Sequence, residues 1–148
     1  MGEVQLGLIA EFDDQSQAQF EKIQSALRAE GLIGTQTEDV GHHVTLGIYE
    51  LSRLKELERR LDRHCGEFPP FSLTYQHIGL FGLDVLFLGP DPSAELLRLH
   101  GLLALGPDPL WSPHTTMLID EPAEILRALP IVAREFTRIE ARACTVSL

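Results

Sequence analysis

His43-Val44-Thr45-Leu46 and, 71 residues later, His114-Thr115-Thr116-Met117 repeat one pattern: histidine, any residue, threonine, apolar residue. Each copy lies in a stretch of strand composition, Gly41 to Tyr49 and Pro113 to Asp120. On a strand, residues i and i+2 project to one face, with Cα atoms about 6.6 Å apart. His43 and Thr45 are therefore expected on one face, with Val44, Leu46 and Ile48 opposite. His114 and Thr116 share a face in the same way, opposite Thr115, Met117 and Ile119. If the apolar faces are buried under helices, each strand offers an imidazole and a hydroxyl to a cleft. Two such strands side by side supply two of each.

The flanking sequence supplies those helices. Val4–Glu11 is an apolar run of strand length. Asp14 and Gln17 have the spacing of a capping box, Phe20, Ile23 and Leu27 recur at helical spacing, and Gly31 marks a stop. After the first motif, Ser52 opens a helix with Leu54, Leu57 and Leu61 on one stripe. Its charged face (Arg53, Lys55, Glu56, Arg59, Arg60) reads as a solvated surface. Pro69-Pro70 break the pattern. Phe71, Leu73 and Tyr75 alternate with polar residues as a half-buried strand, Gly79 to Gly82 reads as a turn, and Val85–Leu88 as a returning strand. Pro92-Ser93 open a Leu-rich helix to about Leu105. After the second motif Glu121-Pro122 start a helix that Pro130 is expected to end or kink. Phe136 to Leu148 reads as a final strand. The order is βαβα–ββαβαβ, in one domain spanning residues 1–148.

Two imidazoles and two hydroxyls suit phosphoester chemistry. A neutral imidazole takes a proton from a nucleophile, and an imidazolium gives one to the leaving oxygen. Hydroxyls donate hydrogen bonds to non-bridging phosphate oxygens, where charge must be stabilised. His43 and His114 are the candidate catalytic residues, and Thr45 and Thr116 the candidate phosphate ligands. The bland alternative is a pair of polar side chains on a solvent face. One such motif arises readily by chance. Two copies in strands half a chain apart are more specific.

Composition narrows the partners. The chain is 148 residues long, 44% hydrophobic and 23% charged, with a net charge of −10, as in a soluble globular domain. The acidity is spread over both halves. That weighs against a clamp on duplex DNA, which needs a Lys/Arg surface, and leaves a small nucleotide or one RNA terminus. Cys65 and Cys144 lack CxxC spacing, so a reducing, cytoplasmic setting is expected. There is no basic leader and no run of 18 apolar residues, so neither a signal peptide nor a membrane span is expected. No HExxH, Cys/His quartet, GxGxxG or P-loop occurs, so neither metal nor cofactor is expected, nor a triphosphate-driven ligase. Nothing in the sequence reads on oligomeric state.

On these two motifs the chain resembles the two-histidine (2H) phosphoesterase superfamily, which includes bacterial 2′-5′ RNA ligases and 2′,3′-cyclic phosphodiesterases. Pro113 gives the second motif the common PHxT form, and the order of elements follows the superfamily over nearly the whole chain. The resemblance implies an α+β fold of two pseudo-symmetric lobes. Each would be an antiparallel sheet with outer helices, around a central cleft that carries both motifs. It implies metal-independent opening of a 2′,3′-cyclic phosphate on a nucleotide or RNA end to a 2′-phosphate, with 2′-5′ ligation as the reverse. His114 would be the base and His43 the acid. A non-catalytic module binding the same ligands is the alternative. Gly41-His42 replace the proline common before the first histidine. Leu118-Ile119-Asp120 stand where many relatives carry Ala-Arg, which weighs against long RNA.

The remaining candidates are weaker. Phe81 is placed either to stack on a base at the cleft rim or to pack within the hairpin. Tyr49 alternates onto the His43 face, toward the cleft's edge or floor. His42 falls on the opposite face as a packing histidine, unless a one-residue bulge intervenes. Trp111, His77, His64 and His100 read as structural.

Overall fold

A computed structural model describes residues 5–36, 40–64, 66–106 and 111–148. Six strands and four helices follow one another: β1 (Gln5–Phe12), α1 (Asp14–Ala29), β2 (His43–Glu50), α2 (Leu54–His64), β3 (Phe71–Phe81), β4 (Val85–Pro90), α3 (Ala94–Leu103), β5 (Thr115–Ile119), α4 (Pro122–Glu135) and β6 (Ile139–Ser147). A single 3₁₀ turn, Leu51–Arg53, leads into α2. The α+β class and the order of elements agree with the sequence reading.

The strands form one antiparallel sheet in the order β2-β1-β6-β3-β4-β5. The sequence reading expected one sheet in each of two lobes. The joining strand is β6, which is long enough to serve both neighbours. Its first half, Ile139 to Ala143, pairs with β3, and its second half, Ala143 to Ser147, pairs with β1. Both motif strands, β2 and β5, are edges of this sheet, and the sheet curves so that they approach each other.

Local chemistry explains the elements. Asp13, one residue earlier than expected, caps α1: its carboxylate accepts from the Ser16 N–H at 2.9 Å, satisfying an orphan donor of the first turn. Gly31, at φ 77°, ends the helix, with Gly31 and Leu32 N–H groups returning to the Arg28 and Leu27 carbonyls. The hairpin turn falls at Gly82 (φ 55°), so β3 runs through the expected turn to Phe81. Pro130 does not end α4, which continues to Glu135. The carbonyl that Pro130 cannot pair with belongs to Leu126, an exposed residue on the solvent side of the helix.

One apolar core joins sheet and helices. At its centre Phe20 of α1 packs with its ring centroid 5.1 Å from both Phe12 and Tyr75. The Tyr75 hydroxyl is buried and shares a 2.8 Å hydrogen bond with the Thr115 hydroxyl. Burial raises the Tyr75 pKa, so the phenol stays neutral there. α1 packs against α4, and α2 against α3.

Candidate active site

His43 opens β2, and His114 stands one residue before β5. His43, Thr45, His114 and Thr116 all line one cleft of about 640 Å³, walled also by α1 and the residues that follow it. That volume suits a nucleotide-sized ligand. Both imidazoles are anchored alike. His43 Nδ1–H donates to the Gly41 carbonyl at 2.7 Å, and His114 Nδ1–H to the Ser112 carbonyl at 2.9 Å. Each bond runs to the residue two positions earlier. It fixes the ring and assigns the Nδ1 proton, so Nε2 is the atom available for proton transfer.

The repeat extends beyond four residues. In β2 the register skips Leu46: Thr45 pairs with Ile9 and Gly47 with Leu8. In β5 it skips Met117: Thr116 pairs with Phe87 and Leu118 with Leu86. The apolar fourth residue of each motif is therefore a β-bulge, and a bulge reverses the alternation beyond it. Leu46, Met117 and Leu118 are fully buried. Ile48 and Ile119, expected on the apolar face, instead line the cleft. Tyr49, expected on the His43 face at the cleft's edge or floor, packs against the core, and its hydroxyl accepts the Leu105 N–H at 2.8 Å. Its ring lies over Gly47, where a Cβ would overlap it. The structure does not bring Tyr49 to the cleft. Tyr49→Phe is expected to lower unfolding free energy by about 1 kcal/mol, the net worth of one such bond. A urea titration measures this.

Three glutamines, two of them not singled out from sequence, hold the motif strands. Gln17 clasps the His42 backbone: its amide donates to the His42 carbonyl at 2.6 Å and its oxygen accepts the His42 N–H at 2.9 Å. The capping role expected of Gln17 is thus replaced by a tertiary one. Two turns later on α1, Gln24 donates to the carbonyl of the bulged Met117 at 3.1 Å. Gln36 donates to the same carbonyl at 3.3 Å and accepts the Ile119 N–H at 2.9 Å. The Thr35 N–H donates to the Ile119 carbonyl at 2.8 Å. These bonds cover the open edge of β5, which would otherwise expose unpaired backbone groups. On β2 the Thr45 carbonyl accepts from the Trp111 indole N–H at 2.9 Å, tying the approach to His114 to the first motif. Trp111 stacks on His100 with ring centroids 3.7 Å apart. The only sequence signal for the glutamines was their seven-residue spacing, which puts Gln17 and Gln24 on one helix face.

The two histidines differ in surroundings. Phe81 meets His114 edge-on, with centroids 4.7 Å apart, and Phe87 lies 5.3 Å from the same ring. Of the two alternatives for Phe81 the structure shows the packing: its ring lies 4.4 Å from Phe87, it remains partly exposed, and it is not among the residues lining the cleft. Burial holds His114 below the ordinary histidine value of 6.5; the Ser112 carbonyl pulls the other way and nearby His43 adds to the lowering. His42 packs on Phe20 and is also lowered, first by burial, with Glu21 opposing at 3.4 Å. Among the described residues no cluster of His, Cys, Asp or Glu could hold a metal ion. No helix among them is long and apolar enough to cross a membrane.

The structure thus combines an α+β scaffold with one cleft that gathers both His-x-Thr motifs. The chain belongs to the 2′-5′ RNA ligase superfamily, whose sequence model matches residues 12–148. No curated protein matches it.

Proposed function

We propose that the protein opens a 2′,3′-cyclic phosphate, on a nucleotide or an RNA end, by acid–base catalysis from His43 and His114. The observation that carries the reading is the identical anchoring of the two imidazoles, which leaves both Nε2 atoms for the substrate in one cleft. His114 is the base, because its surroundings favour the neutral ring. Its Nε2 takes a proton from water as the water oxygen attacks phosphorus. The bond from phosphorus to the 3′ oxygen breaks, and His43 Nε2–H donates its proton to that oxygen. The product is a 2′-phosphate. Thr45 and Thr116 donate hydrogen bonds to the non-bridging oxygens, and proton exchange with solvent resets both rings. In the ligating direction the two roles exchange. Phe81 supports the His114 ring by its edge-on contact.

The test is incubation of the full chain, with EDTA, against the four nucleoside 2′,3′-cyclic monophosphates and an RNA ending in the cyclic phosphate. A 2′-phosphate product supports the reading. Binding of these ligands without turnover replaces it with the binding-module alternative. The acid limb of kcat/KM against pH is expected to lie below 6.5, because the base is depressed and stays neutral to lower pH. The same depression has a stability sign. Its contribution is complete above 6.5 and is lost as pH falls through the folded-state value. Urea titrations at pH 7.5 and pH 5 are expected to show a smaller acid loss for His114→Asn than for the wild type.

A further inference from the structure

Resting on that phosphoesterase reading, the geometry points to a substrate of mononucleotide size, carrying one phosphate and an uncharged face, rather than the end of an oligonucleotide. Two observations support it independently. The first concerns charge. The chain has 12 Lys and Arg residues, and only Arg28 lines the cleft. The segments outside the described residues, 1–4, 37–39, 65 and 107–110, contain no Lys or Arg. Arg28 is engaged by Glu21 at 2.7 Å. Asp14 and Glu21 stand on the same wall. One phosphate is served by the two imidazoles and two hydroxyls. Every further phosphate of an RNA strand would enter a space with carboxylates and no uncommitted Lys or Arg, and like charges brought together are penalised.

The second observation concerns the rest of the cleft. Ile33, Val40 and Ile48 line it with 53%, 38% and 60% of their surface exposed, and Ile119 joins them. Large aliphatic side chains left open beside a polar centre suit the uncharged surface of a ligand. Ile48 and Ile119 hold one position in both motifs, five residues after the histidine, turned to the cleft by the bulges. They are the specificity-determining residues of this inference.

The experiment uses the full chain and two probes: adenosine 2′-monophosphate, and a three-nucleotide RNA ending in the same adenosine 2′-phosphate. Calorimetric affinities are measured across a salt series, beside turnover of the matching 2′,3′-cyclic forms. The wild type is expected to prefer the mononucleotide by at least about tenfold, with a salt slope shallower than about −1, as one phosphate requires. Ile119→Arg is expected to narrow that gap and steepen the trinucleotide slope. Ile48→Ala, which keeps the strand's apolar character, is expected to weaken mononucleotide binding about fivefold. Equal or tighter trinucleotide binding by the wild type overturns the inference. If the trinucleotide is also turned over faster, the phosphoesterase reading survives and the inference alone fails. Mononucleotide preference in binding with no turnover rejects the phosphoesterase reading and keeps the selectivity. No binding of either probe rejects both.

Discussion

His43→Ala and His114→Ala are each expected to lower kcat/KM by about 10³-fold, within the 10²–10⁴-fold range of a positioned acid or base. The double variant is expected to fall little further, since an acid and a base that serve one transition state act as a unit. Both side chains are half-buried at a cleft wall, and their only described hydrogen bonds run to carbonyls two residues away. Melting temperature is therefore expected to drop by no more than about 4 °C. His114→Ala is the costlier of the two, because its ring packs on Phe81 and Phe87. Turnover of a 2′,3′-cyclic monophosphate, followed beside thermal unfolding, separates the two effects. Loss of activity in step with loss of fold would refute the catalytic assignment, as would a double variant much worse than either single one.

Phe20→Ala is expected to be the most damaging single truncation outside the cleft, at about 3–5 kcal/mol of unfolding free energy. Phe20 is fully buried. Its ring meets Phe12 and Tyr75 at 5.1 Å and His42 at 5.6 Å. Removal leaves a cavity between α1 and the sheet that rigid strands cannot collapse to fill. The damage reaches the site, because His42 loses its packing partner next to His43. At a temperature where the variant is still folded, activity is expected to fall as well. An unfolding free energy within about 1 kcal/mol of wild type in a urea titration would contradict this account of the core.

The sequence carried the parts of this fold that rest on periodicity and local chemistry. The apolar runs, the Gly31 stop and the proline-opened helices were all readable. The twin motifs identified His43, Thr45, His114 and Thr116, which the structure gathers in one cleft. What escaped was long-range or cumulative. Alternation placed Tyr49 on the His43 face and turned Ile48 and Ile119 away. A bulge after each threonine, which no propensity announces, reverses all three. Gln17 fits a capping pattern, yet its partner lies 25 residues away. The single sheet depends on β6 pairing at both ends with different neighbours, and pairing across more than 100 residues leaves no trace in local pattern.

The paired bulges have a consequence for how such a protein can change over time. Each motif strand is written in two frames, joined at Leu46 and at Met117. On the function proposed above, residues ahead of the joint carry the proton chemistry, while Ile48 and Ile119 behind it line the cleft. Mutation at those two positions leaves the histidines' anchors, the threonines and the buried layer untouched. Ligand preference can therefore drift while the reaction is conserved, so descendants of one such chain could diverge in what they accept long before they diverge in what they do.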